Sequence, residues 1–278
     1  MTVRIVTDST CDLPAEVVAR HRISVIPLYI NVGGRGYLDG IDMTREEFYE
    51  KLPHFPGHPT TAVPSPQKFH AIYDALADEG ATEILSIHIS VSLSAIVNVA
   101  NTAARETTSV PVTVVDSRQL SLGTGFLAET AARLAEAGAS IAEILPALQD
   151  QIRRTRVFAA LDTLEFLRRS GRMNAVLSTI GELLQIKPFL KMYDGNPSAE
   201  RVRTRKSAVR RLVELLHEYA PYERVALLHS NAILRANELL SEVRDLLPAG
   251  ELWLEQINPV LGAHIGPGVV GFACVSKS

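Results

Sequence analysis

Residues 84–104, ILSIHISVSLSAIVNVANTAA, carry no fixed charge. A stretch this apolar has to be buried, yet it holds Ser86, Ser90, Ser92, Ser94 and His88. Buried hydroxyls need hydrogen-bond partners. Four serines and two asparagines also break the run too often for a membrane-spanning helix. A second uncharged run, 256–276, is broken by Pro259, Pro267 and several glycines. Both runs read as the interior of a layered fold.

The surrounding pattern says which kind of layers. Residues 3–7 read as a strand, and a helix follows from about Pro14, a favoured first-turn position. A strand region is expected at 23–32. Thr44-Arg45-Glu46-Glu47 is a capping box opening a helix to about Leu52. Residues 53–66 form a proline-rich loop, and Ser65-Pro66 starts a helix to about Asp78. Strands at 83–89 and 110–115, helices at 93–105 and 120–138, and a capping-box helix at 140–154 continue the alternation. That alternation specifies a mostly parallel sheet with helices on both faces.

Beyond residue 157 the pattern changes. Strands are expected at 157–160, 185–193, 201–204, 224–229, 251–258 and 269–275, with helices at 163–169, 207–219 and 231–247. Asp194-Gly195 marks a turn on a connection longer than a two-residue hairpin. The expectation is a two-domain α/β protein: an N-terminal α/β domain at 1–156 and a C-terminal mixed α/β (α+β) domain at 157–278.

Charge narrows the function. The chain has 28 basic and 31 acidic residues, a net of −3, so it lacks the basic excess that nucleic-acid binding uses. Cys11 and Cys274 give neither a disulfide framework nor a zinc spacing, and a cytoplasmic location is expected. The N-terminus reads as a first strand and not as a signal peptide.

In parallel sheets ligands bind beyond the carboxyl ends of the strands. Those ends carry Asp8-Ser9-Thr10, the serines of 90–94, and Asp116-Ser117. Asp8 and Asp12 have the makings of an acidic pair, but such clusters more often cap helices. GTGFLA at 123–128 has GxGxxA spacing without a directly preceding strand, so close helix packing is the expectation. There is no phosphate-binding loop and no nucleophile elbow. The histidines are scattered and make no metal set. His264, in GAHIGPG at 262–268, is a candidate partner for an anion or a hydroxyl. Arg168, Arg169 and Arg172, with the basic residues of 201–206, suggest a positive rim.

Nine segments, in order along the chain, resemble the DegV family of bacterial fatty-acid-binding proteins. They are TDSTCDL at 7–13, TAVPSP at 61–66, ISVSLSAI at 89–96, VVDS at 114–117, LDTL at 161–164, LRRSGR at 167–172, IKP at 186–188, RTRK at 203–206 and HIGPG at 264–268. The resemblance implies a buried tunnel for one long-chain fatty acid, such as palmitate (hexadecanoate). It implies that Thr61, Ser94 and His264 hold the carboxylate. Arg172 and Arg203 match family arginines near the head group or the partner surface. No cofactor, metal or catalytic residue is implied. The family's role is to present the carboxyl group to a separate fatty-acid kinase, which makes acyl-phosphate for phospholipid metabolism, with transient membrane contact. Ala62, Val63, Val91, Ala95, Ile96 and Ser170 depart from the family's residues. Burying a roughly 16-carbon tail is worth on the order of 12 kcal/mol before ordering costs. Two rival readings stand beside this one: a small hydrolase or phosphotransferase using Asp8, Asp116 and nearby serines, and a regulatory protein whose lipid is structural.

Overall fold

The computed structural model describes residues 2–173, 187–248 and 252–277. In chain order the elements begin with β1 (Val3–Asp8), α1 (Ala15–Arg20), β2 (Ser24–Ile26), β3 (Tyr29–Val32), β4 (Arg35–Leu38) and α2 (Arg45–Lys51). Next come β5 (Thr60–Ala62), α3 (Pro66–Asp78), β6 (Glu83–His88), α4 (Ile96–Glu106), β7 (Val112–Asp116), α5 (Leu122–Glu136) and α6 (Ile141–Arg154). Then follow β8 (Thr155–Ala160), α7 (Glu165–Arg169), β9 (Lys187–Tyr193), β10 (Asn196–Val202) and α8 (Arg205–Glu218). The last are β11 (Tyr222–His229), α9 (Ile233–Val243), β12 (Trp253–Gln256), α10 (Pro259–Ile265) and β13 (Val270–Ser276).

The strands make three sheets. A parallel sheet has the order β2-β1-β6-β7. A small antiparallel sheet has the order β4-β3-β5, and a six-stranded mixed sheet the order β10-β9-β8-β13-β11-β12. This is the expected α/β architecture, a parallel sheet flanked by helices followed by mixed structure. Helix α5 packs on β1 and β6 of the parallel sheet and on β8 and β13 of the mixed sheet. One apolar cluster accordingly runs from Val3 to Val275, and a second covers the other face of the mixed sheet beneath α8 and α9. The uncharged run at 84–104 becomes β6 and most of α4. No helix of the described residues is long and apolar enough to cross a membrane.

Several boundaries move, each for a local reason. The strand region at 23–32 splits between two sheets at Pro27, which has no N–H to continue a ladder. β4 was not legible as a strand. It pairs with β3 across Gly33-Gly34, whose φ values of +58° and +82° suit a tight hairpin turn. β5 emerges from the proline-rich loop by pairing with β3. Tyr193 pairs directly with Asn196, so the Asp194-Gly195 connection is a two-residue hairpin, shorter than expected. β10 therefore covers Asn196–Val202 rather than 201–204, and edge position tolerates Pro197. Helix α4 starts at Ile96, because the N–H groups of Leu93 and Ser94 turn back to the Ser90 carbonyl. Helix α9 is shorter than 231–247; Asn231 at φ +49° is not helical. The expected strand starts at Gln185 and Glu251, and Ile186 of the IKP segment, lie outside the described residues.

The GTGFLA segment lies inside α5 as a packing surface. A Cβ at Gly125 would meet the Cys11 carbonyl oxygen at 2.5 Å, and one at Gly123 would meet Val157 Cγ2 at 2.9 Å. These glycines let α5 lie against the turn after β1 and against β8. Gly125→Ala is therefore expected to destabilise the fold by about 1–3 kcal/mol, through forced movement of backbone. Urea unfolding measures this, and an unchanged midpoint would contradict the packing argument.

Candidate functional site

A cavity of about 440 Å³ lies between the sheets, within the ~300–1,000 Å³ range of small-molecule sites. The mixed sheet makes one wall. Register aligns Leu228, Gly271, Ala159 and Leu190 in one row across four strands, and Ala226, Ala273, Val157 and Met192 in the next. Part of this face borders the cavity as a groove. Leu190, Met192, Val157 and Leu228 line it, with Leu261 and Val260 of α10 facing them.

Polar groups are few. Thr61, Ser94, His264 and Arg172 all line this cavity, so four of the five residues singled out in the sequence come to one space. Arg203 does not; it is exposed on the turn between β10 and α8. Thr61 Oγ1 lies 3.0 Å from His264 Nε2. Thr61 is positioned by the pairing of β5 with β3. His264 is positioned by α10, which Asn258 caps by accepting the Leu261 N–H at 2.9 Å. Ser94 Oγ accepts the Ile96 N–H at the start of α4, which leaves its hydroxyl hydrogen free.

Burial, with Arg172 and His58 nearby, lowers the His264 imidazole from 6.5 to about 4. The ring is therefore neutral and carries one proton. Among the described residues, His264 Nδ1 is buried without a partner. A proton on Nδ1 would be an unpaired buried donor, the costlier arrangement. With the proton on Nε2, His264 donates to Thr61, and the Thr61 hydroxyl hydrogen is free to donate to a ligand. Thr61 and Ser94 thus both offer an O–H, which suits a carboxylate. His58 was missed in the sequence. Its ring packs on Phe166 at 5.5 Å, its Nε2 is buried and unpartnered among the described residues, and burial lowers its pKa. Nothing in its proline-rich neighbourhood distinguishes it from His54.

The remaining serines are tied up internally. Tyr73 donates to Ser86 Oγ at 2.9 Å, Ser86 lies 2.7 Å from His88 Nε2, and His88 Nδ1 lies 3.0 Å from Asp8. Asp8 also accepts from the N–H groups of Thr10 and Ile89. This Ser-His-Asp series is fully buried and Ser86 does not reach the cavity, so no substrate meets it. Asp8 acts as the cap expected of such a cluster, and Asp116 accepts the Arg118 N–H in its own turn. Ser90 and Ser92 bond to each other at 2.9 Å. Arg168 and Arg169 are exposed and both pair with Glu165, so the expected positive rim is partly neutralised there. Ala62 and Ala95 are exposed at the cavity, and Val91, between the serines, is 50% exposed.

A parallel α/β unit and a mixed sheet with an apolar cavity between them define a mixed α/β protein. The DegV family model matches residues 2–277. A DegV domain-containing protein of Streptomyces coelicolor is 36% identical over 281 residues, covering 99% of this chain and 99% of its own. One from Deinococcus radiodurans is 36% identical over 277 residues, covering 98% of each. Among solved structures, a DegV family protein from Thermus thermophilus, described by its fatty acid binding, has a TM-score of 0.90 at 35% identity. It covers 99% of this chain and 100% of its own. DegV of Bacillus subtilis, described as a fatty acid binding protein, has a TM-score of 0.90 at 30% identity, with 99% and 100% covered. The chain belongs to the DegV family.

The low His264 pKa has a consequence for stability. The unfolded ring takes a proton below about 6.5 and the folded ring does not until about 4. The His264 contribution is therefore complete above 6.5 and is lost as pH falls through this window. His264→Gln should remove this part of the acid sensitivity, read as the difference between the two proteins' unfolding free energies against pH. A ring resonance that titrates near 6.5 in the folded protein would contradict the assignment.

Proposed function

We propose that this protein binds one long-chain fatty acid, its tail in the apolar cavity and its carboxylate at Thr61, Ser94 and His264. The observation that carries the reading is the cavity itself: an apolar groove with two free hydroxyl donors and a neutral histidine holding one of them. Burying the tail supplies affinity at ~0.8 kcal/mol per CH₂, and the hydroxyls fix which end faces outward. The Thermus thermophilus and Bacillus subtilis relatives are described as binding fatty acid, which supports the same ligand class.

The protein is a carrier in this reading. It presents the carboxyl group to a separate fatty-acid kinase in the cytoplasm, and the kinase supplies ATP chemistry. A carboxylate is a poor acyl donor until phosphorylated, and acyl-phosphate hydrolyses readily, so a site that excludes water protects the product. Arg172, which lines the cavity, and exposed Arg203 are the cations offered to the partner or the phosphoryl group. The hydrolase alternative is the weaker one, because Ser86 is sealed and Asp8 and Asp116 cap turns.

Denaturing extraction and mass spectrometry of the purified protein should yield a long-chain fatty acid. Thr61→Ala or Ser94→Ala should each weaken fatty-acid binding by about 1–3 kcal/mol, with residual binding from the tail. Failure to recover lipid, together with no stabilisation by added palmitate, would overturn fatty-acid binding. For the carrier role, Arg172→Glu and Arg203→Glu should slow acyl-phosphate formation by an added kinase, ATP and Mg²⁺ more than they weaken palmitate binding. ATP turnover by the isolated protein would overturn that division of labour.

A further inference from the structure

A second cleft of about 570 Å³, lined by other residues than the first cavity, lies at the carboxyl ends of β11 and β12. These two are the parallel pair of the mixed sheet among the described strands. Such strand ends are where α/β sheets place ligands. His229 closes β11 and is 6% exposed. Its Nδ1 accepts the Ala232 N–H at 3.3 Å. Burial and Arg45 lower its pKa, so the ring is neutral and its one proton sits on Nε2. No described residue accepts from Nε2, and the ring lines the cleft.

Two further donors meet there. Helix α9 begins at Ile233, which also lines the cleft, and Ala232 before it gives no side-chain cap. The first-turn N–H groups of this helix are therefore left without side-chain acceptors at its positive end. Arg45, which also lines the cleft, donates to the Gln256 carbonyl and has a side chain 26% exposed. Its contacts with Asp12 at 3.5 Å and Glu255 at 3.7 Å are too long for strong hydrogen bonds. The His229 Nε2–H, a helix start and a guanidinium thus line one cleft.

We propose that this cleft binds the phosphate group of a small phosphomonoester, held between His229 Nε2, the start of α9 and Arg45. Donors on three sides suit a tetrahedral oxyanion better than a planar carboxylate, and the cleft has room for the rest of a small molecule. Glu255 opposes an anion here, with Glu46 on the rim and Asp12 behind Arg45. Burial pushes the Glu255 carboxyl up to about 7, with Arg45 lowering it and Asp12 and Glu16 raising it. An anion alongside raises it further, so binding draws a proton onto Glu255 and is tighter on the acid side of neutrality.

The probe is inorganic sulfate, which keeps its charge near neutrality. It is titrated into lipid-loaded protein at constant ionic strength and followed by amide NMR. Saturable shifts are expected at Asn231, Ile233 and the His229 ring, and not with chloride. His229→Ala should weaken sulfate about tenfold, and His229→Gln, which keeps a donor, should restore most of the loss. The unaltered protein should bind sulfate more tightly at about pH 6 than at about pH 8. Shifts no larger than those from chloride, equal affinity in His229→Ala, or equal affinity at the two pH values would overturn the site.

Discussion

The carboxylate of Asp12 is the point on which the two halves of the molecule are registered. It is fully buried, and three separate segments converge on it. Ser121 donates to one oxygen at 2.6 Å. The Asn258 backbone and side-chain N–H groups reach the other, each at 2.9 Å, and Arg45 lies 3.5 Å away. Burial pushes this carboxyl up, while Arg45, Ser121 and Asn258 pull it down. A buried charge of this kind contributes little net stability, but removing one partner is costly because it leaves the charge uncompensated. What it fixes is geometry. Asn258, held by Asp12, caps α10; α10 carries His264; and His264 orients Thr61. Ser121, held by the same group, lines the cavity.

The sequence was informative wherever local chemistry decides local structure. The capping boxes at Thr44 and Ser140 form as read, with both reciprocal bonds present. The strand–helix alternation through Arg154 and the close-packing role of Gly123 and Gly125 were also legible. What was not legible depends on pairing between distant segments. β5 is a strand only because β3 lies beside it, and β4 only because Gly33-Gly34 folds it back. The same holds for the site. Thr61 and Ser94 were singled out as carboxylate ligands through resemblance, His264 and Arg172 also from their own sequence setting, and all four meet in one cavity. The groove residues Ala159, Val157, Leu190 and Met192 were not, since their shared face follows from the register of β8, β9, β11 and β13.

The serines of 84–104 show how one composition serves two ends. Ser86 belongs to a closed hydrogen-bond series running from Tyr73 to Asp8, where every polar atom serves the fold. Ser94, eight residues further on, spends only an oxygen lone pair on the start of α4 and keeps its proton. Alternation along β6 and the turn after it separates these roles. Exposed Ala62 and Ala95 give the cavity a more apolar border than the resembling family segments carry. Thr61, Ser94 and His264 line the same cavity.

The central claim is that a fatty-acid carboxylate sits against Thr61 and His264. Palmitate labelled with ¹³C at the carboxyl carbon, bound to the protein and read by NMR, tests it directly. The account predicts one bound carboxyl resonance that moves in Thr61→Val and shows through-space contacts to Thr61 and His264 protons. A carboxyl resonance that titrates as it does in bulk water, with no contact to either residue, would contradict it.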